Sequence, residues 1–136
     1  MQAIKVLFAG FLLSGSFLVS ASFGAPASST PQTISGGGVT AKVTYLNPGT
    51  TDEPRFQVVL DTHSVDLDAY DLKGITVLRD DAGKTYVSTA VENKSGGHHR
   101  EATLGFSKVS SDVKRIELVI RDIGGVKERV FRWNVD

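Results

Sequence analysis

The chain of 136 residues contains no cysteine, and all four of its prolines lie before residue 55. Without cysteine it can form no disulfide and can carry no lipid on a cysteine after a leader. Fifteen basic residues balance fifteen acidic ones, so the sequence offers no basic surface for nucleic acid or for an anionic membrane. Because the remainder is free of proline, its backbone amides can pair without interruption.

The N-terminal segment has the layout of a secretory signal peptide. One lysine precedes an apolar run over residues 6–19, and small residues suited to cleavage follow that run. The run is shorter than the roughly 20 residues that span a bilayer. We therefore predict a signal peptide over residues 1–27, a disordered lead-in over residues 28–37 and export to the periplasm or beyond the cell, with no membrane insertion after leader cleavage.

From Val39 onward the apolar residues recur with a period of two, which is typical of strands with one buried face. The alternating runs occupy residues 39–45, 56–60, 75–79, 85–91, 102–106, 116–120 and 130–135. Turn residues separate them, including Gly83, which can take the positive φ of a hairpin loop. About seven short strands over residues 38–136 predict an all-β domain, namely an antiparallel immunoglobulin-like β-sandwich, with a small barrel as the alternative.

The last two runs predict a hairpin with one apolar face. If residues 124–125 form a two-residue turn, Leu118 lies opposite Phe131 and Ile116 opposite Trp133, and a four-residue loop would keep the same faces. In either case the single tryptophan is expected in the core. Arginines on or beside these strands are interleaved with acidic residues, which predicts cross-strand pairs on a solvated face. These arginines are Arg115, Arg121, Arg129 and Arg132.

The stretch LDTHSVDLDAYDL suggests two kinds of site that its spacing then excludes. Asp61 and His63 share one strand face while Ser64 points to the other, which argues against a hydrolase triad. Asp66 and Asp68 suggest a calcium loop, but the positions that should supply the next ligand and the glycine hold tyrosine and aspartate. An irregular carboxylate site and a solvated loop, in which aspartates bond to nearby backbone amides, remain as alternatives.

The three histidines are the only side-chain nitrogen donors that suit a transition metal. His98 and His99 diverge on a regular strand, so a workable site combines one of them with His63 and a carboxylate such as Asp61. Such a set suits Zn(II) or Cu(II). In the alternative, the histidines hydrogen-bond to carbonyls or carboxylates and fix the loop.

Four stretches of the chain resemble a group of small exported prokaryotic proteins of unassigned function. They are LDTHSVDLDAYDL, VLRDDAGKTY, GGHHR and IRDIGGVKERVFRW. The resemblance covers residues 39–133 and implies an exported sandwich with an immunoglobulin-like fold. It supplies no catalytic residues.

These observations predict a non-enzymatic binding or interaction module of the cell envelope. The candidate metal ligands are His63, His98 and His99, and the candidate binding residues are Arg100, Asp61, Asp66 and Asp68. We expect the two loops that carry them to meet at one end of the sandwich. The surface then binds Zn(II) or Cu(II), or else a protein partner is bound by the loops or by an exposed strand edge. A metal-dependent hydrolase is a third version, for which the chain has no recognisable motif.

Overall fold

The computed structural model describes residues 29–49 and 53–135, which form eight strands and two short helical turns. The strands are β1 (Gln32–Gly36), β2 (Val39–Tyr45), β3 (Arg55–Thr62), β4 (Thr76–Asp80), β5 (Thr85–Ser95), β6 (His99–Phe106), β7 (Arg115–Ile123) and β8 (Val126–Asn134). A 3₁₀ turn (Leu67–Ala69) and the helix α1 (Leu72–Ile75) connect β3 to β4. No helix in the described ranges is long and apolar enough to cross a membrane. The predicted signal peptide lies outside the described residues.

The eight strands form one antiparallel sheet in the order β1-β2-β3-β6-β5-β4-β7-β8, nearly closed into a barrel. Strand β5 belongs to both halves of this sheet. It pairs with β4 over residues 85–87 and with β6 from Ser88 to Ser95, with two shifts of register. The prediction of an all-β antiparallel domain is confirmed.

Strand β1 occupies residues 32–36, inside the segment predicted as a disordered lead-in. Gly37 and Gly38 both have positive φ, at 59° and 75°, and form the tight turn through which β1 pairs with β2. Of the eight described strands, only β1 has no buried residue. Ile34 is its one large apolar residue, so the sequence of this segment shows no alternation typical of a strand. The segment is ordered because it pairs with β2.

Along each strand, the side chains at every second position point inward and fill the barrel. At one end, Tyr45 stacks on Phe56 with ring centroids 4.7 Å apart, and Trp133 lies 5.1 Å from Phe56. Buried Leu67 and Leu72 close the other end, where β3 leads into α1. The predicted pairs of the last hairpin, Leu118 with Phe131 and Ile116 with Trp133, are confirmed, and so is the core position of the tryptophan.

Side chains close the barrel seam between β1 and β8. In the described ranges no backbone hydrogen bond joins these two strands. The side-chain amide of Gln32 instead donates to the Arg132 carbonyl at 2.7 Å and accepts from the Arg132 N–H at 3.2 Å. At the other end of the seam, Gly37 and Gly124 approach so closely that a Cβ on Gly37 would lie 2.0 Å from the Gly124 oxygen.

Arg129 lies inside this seam, so its predicted place on a solvated face is wrong. The residue is 1% exposed because it shares the inner face of β8 with Phe131 and Trp133. Its guanidinium donates to the Gly36 carbonyl at 2.5 Å and to the Ile123 carbonyl at 2.9 Å. Each of these carbonyls immediately precedes a Gly-Gly turn, so Arg129 ties the two turns together.

Burial shapes the electrostatics of Arg129. Loss of solvent lowers the pKa of Arg129, and its Nε has no hydrogen-bond partner among the described residues. Two other arginines do form the predicted cross-strand pairs on the outer face. Arg132 lies 2.8 Å from Glu117, and Arg121 lies 3.6 Å from Glu128.

Candidate functional site

The two segments that carry all three histidines meet at one end of the barrel. Strands β3 and β6 are neighbours, and their ladder pairs Asp61 with His99. Next to this pair, the Thr62 N–H donates to the His98 carbonyl at 3.0 Å. The expected meeting of the two loops is therefore present in the fold.

A shallow depression on the surface of the barrel gathers the histidines, and we call it the histidine depression. Its lining residues are Gly38, Thr40, Asp61, Thr62, His63, His98 and His99. They come from the β1–β2 turn, from β2, from the end of β3 and from the start of β6. The depression is partly open to solvent.

The strongest polar contact in the depression joins Asp61 to His99. Oδ1 of Asp61 is hydrogen-bonded to Nδ1 of the imidazole, and both side chains are more than half exposed. This bond fixes the ring and leaves Nε2 as the nitrogen free to meet a ligand. His63 and His98 are exposed, and neither imidazole hydrogen-bonds to another described residue.

The predicted metal ligands share this depression without forming a metal-binding set. Within residues 29–49 and 53–135, no three histidine, aspartate or glutamate side chains are arranged to hold a metal ion. Two geometric causes contribute. His98 and His99 are adjacent in sequence and therefore point in different directions, and one oxygen of Asp61 is already bonded to His99.

Arg100 and Asp68 bind backbone groups and so connect the two loops. Nη1 of Arg100 donates to the carbonyls of Leu67 and Tyr70, at 2.7 and 2.6 Å. The carboxylate of Asp68 accepts the Gly97 N–H at 3.0 and 3.1 Å. These two of the four predicted binding residues are thus bonded within the protein, and they line a separate depression rather than the one that holds the histidines.

Asp66 hydrogen-bonds to the backbone of its own loop. It caps the 3₁₀ turn, where its side chain accepts the Asp68 N–H at 3.1 Å. Asp71 caps α1 in the same way by accepting the Lys73 N–H at 3.2 Å. For these two residues the structure has the backbone-bonded arrangement that was the alternative to a carboxylate site.

Thr62 is a positioning residue that the sequence reasoning missed. Its buried hydroxyl donates to the Gly38 carbonyl at 2.7 Å and accepts the N–H groups of Ser64 and Val65, at 3.2 and 3.1 Å. It thereby fixes the turn that carries His63. A threonine at the end of a strand, before a polar turn, is the available sequence signal, because its hydroxyl can bond to backbone two or three residues on.

The chemistry open to the depression is that of exposed imidazoles on a fixed backbone. In the described part of the chain, no serine or threonine hydroxyl hydrogen-bonds to any of the three imidazoles, so no nucleophile is paired with a histidine base. The free nitrogens can exchange hydrogen bonds with a partner.

Comparison of the chain with protein-family models, curated proteins and solved structures finds no match. The resemblance to small exported prokaryotic proteins therefore stays a prediction. Any functional conclusion rests on the geometry of the histidine depression and of the fold that carries it.

Proposed function

We propose that this protein is an exported, non-enzymatic interaction module of the cell envelope that binds a partner protein through the histidine depression. One observation carries the proposal. Arg100, Asp68 and Thr62 fix the surrounding backbone with bonds of 2.6 to 3.2 Å, while His63 and His98 remain exposed and unbonded. A surface with fixed backbone and free polar side chains limits the ordering cost of binding.

We also propose that the nearly closed barrel is an immunoglobulin-like sandwich. The strand order supports this assignment. Strands β2-β3-β6-β5 follow one another in one half and β4-β7-β8 in the other, which is the arrangement of constant-type immunoglobulin domains. On this assignment β1 is an additional edge strand, and the histidine depression lies at one end of the sandwich, where such folds place binding loops.

Binding of Zn(II) or Cu(II) is the second candidate function, because one observation favours it. Asp61 holds Nδ1 of His99 as a carboxylate holds the far nitrogen of a metal-bound histidine, and this leaves Nε2 exposed. A partner protein ranks first because no three ligands converge within the described ranges. A site with two nitrogen donors would be a weak one.

Site-specific photo-crosslinking in the envelope tests the partner proposal. A photoreactive residue at Thr40, inside the depression, is expected to capture a discrete partner. The same residue at exposed Thr85, on β5, is the matched control and should capture none. Capture from position 40 should disappear in the His63→Ala, His98→Ala double variant. Equal capture from both positions, or capture that survives the double substitution, contradicts the proposal.

Calorimetric titration with Zn(II) and Cu(II) separates the two candidates. The partner proposal expects no sub-micromolar binding by the purified protein. One-to-one binding of that strength, lost in the His98→Ala, His99→Ala double variant, would replace the partner with a metal ion.

A further inference from the structure

The backbone of β8 presents hydrogen-bonding groups to the seam. The Val135 N–H donates to the Lys114 carbonyl at 3.0 Å, so odd-numbered positions at this end of the chain bond toward β7. The N–H and C=O of Arg132 instead bond to Gln32, on the other side of the strand. Because the hydrogen-bonding direction alternates along a strand, Val130 also turns its backbone groups toward the seam.

The side chain of Gln32 takes the place of a missing strand at Arg132. In an antiparallel ladder, a hydrogen-bonded pair of residues exchanges two bonds, one from each N–H to the other carbonyl. The Gln32 amide makes both of these bonds with Arg132, at 2.7 and 3.2 Å. It therefore covers the edge of β8 with the same chemistry that the peptide group of an added strand would supply.

The Gln32 cover is separate from the contacts that hold the rest of the seam, where Ile34 of β1 packs against the core. Gln32 is half-buried at the far end of the seam from Arg129, and β1 stays paired with β2 over five residue pairs. Arg129 and the Gly37–Gly124 contact hold the opposite end. Displacing one side-chain amide would thus expose the Arg132 backbone and leave the two glycine turns tied together.

Charges beside this edge indicate which partner fits. Arg79 and Arg132 share a single carboxylate, that of Glu117, with both contacts at 2.8 Å. The cluster therefore keeps a net positive charge. Val130, two residues before Arg132 on the same outer face, is only half-buried. An added strand would be favoured by an acidic side chain beside Arg132 and an apolar one beside Val130.

We propose that the β8 edge at Val130 and Arg132 binds an extended acidic-apolar peptide segment of a partner protein, which displaces the Gln32 amide and pairs with the strand. Peptides that add a strand in this way obtain affinity from main-chain hydrogen bonds and specificity from alternate side chains. This site lies on the seam and does not depend on the histidine depression.

Fluorescence anisotropy with a labelled peptide, Thr-Glu-Val-Val-Val-Thr, tests the proposal on the purified protein. The Gln32→Ala variant lacks the competing amide and should bind the peptide roughly tenfold more tightly than the wild type. The Val130→Pro variant lacks the N–H that faces the seam and should not bind, whereas Val130→Thr keeps this N–H and should bind. A peptide with lysine in place of glutamate is the charge control and should bind more weakly.

Three results would overturn the proposal. They are the absence of binding by both the wild type and a folded Gln32→Ala variant, equal binding of the lysine peptide, and retained binding by Val130→Pro. Light scattering adds a fourth, because self-association of Gln32→Ala would mean that a second copy of the chain takes the edge. If Gln32→Ala does not fold, as judged by circular dichroism, the Val130→Pro and Val130→Thr pair in the wild-type background decides the question.

Discussion

Arg100 and Arg129 perform the same chemical task in two regions of the barrel. Each guanidinium donates to two backbone carbonyls, and neither is bonded to a carboxylate in the described structure. Arg100 does this at the loop end of the barrel, where it is half-buried. Arg129 does it within the seam, where it is 1% exposed.

The two arginines differ in how easily water could replace the hydrogen bonds that they donate. At Arg100 both bonds are only partly buried, so solvent can replace the guanidinium more easily and its bonds matter mainly for the position of the loop. At Arg129 the guanidinium and the Ile123 carbonyl are buried and the Gly36 carbonyl is partly buried, so the same bonds are needed to offset burial. The same two-carbonyl contact thus orders a binding surface in one place and closes the fold in the other.

The largest expected effect is that of replacing Arg129 with methionine. Methionine retains an apolar stem but leaves the Gly36 and Ile123 carbonyls without their donor, so we expect the free energy of unfolding to fall by about 2–4 kcal/mol. Urea denaturation followed by tryptophan fluorescence measures it through Trp133. Arg121→Met, on the outer face, is the matched control and should change stability by no more than about 0.5 kcal/mol. An Arg129→Met variant as stable as the wild type would mean that desolvation of the guanidinium cancels its bonds.

Replacing Arg100 with methionine should have a smaller effect, concentrated in the loop. Water can bond to the Leu67 and Tyr70 carbonyls in this variant, so we expect a loss of about 1 kcal/mol in the free energy of unfolding. Amide hydrogen exchange should accelerate over residues 66–75 and remain unchanged in β7 and β8. If the loss equals that of Arg129→Met, the difference in burial does not separate the two arginines.

The smallest expected effect concerns the arginines that do bind a carboxylate. The guanidinium of Arg79 lowers the pKa of Glu117, and Arg132 adds to this shift. A carboxyl with a lowered pKa contributes stability at neutral pH that is lost as the pH falls through its folded value. Because surface ion pairs are weak, we expect a contribution below about 1 kcal/mol. Urea denaturation between pH 7 and pH 3 should show a smaller acid-dependent loss in Glu117→Gln than in the wild type.

Much of the fold could be predicted because its signal is local. Alternation alone predicted β2 at residues 39–45, and the Gly124–Gly125 turn set the register of the last hairpin. The strand β1 escaped prediction because its order comes from β2 and from side-chain bonds to β8. Arg129 had a readable signal, since alternation places it on the same face as Phe131 and Trp133. Its charge nevertheless suggested a solvated position.

Of the seven residues predicted for the candidate site, Asp61 and the three histidines lie together in one depression, whereas the other three bond to backbone groups. The sequence predicts that the segments around His63 and His98 meet, and they do meet beside the β3–β6 ladder. It cannot indicate that Arg100 bonds to carbonyls 30 and 33 residues earlier, or that Asp68 bonds to the Gly97 N–H. Such contacts depend on where distant backbone groups lie, and residue type alone does not encode their positions.

The seam also bears on the order in which the barrel folds. Gln32 and Arg132, which meet across it, are 100 residues apart, and β8 follows the other seven described strands along the chain. Contacts this far apart carry a larger loop-closure entropy than the pairs among β1, β2, β3 and β6, so we expect them to form later in folding. The edge of β1 is then uncovered until β8 has joined the sheet.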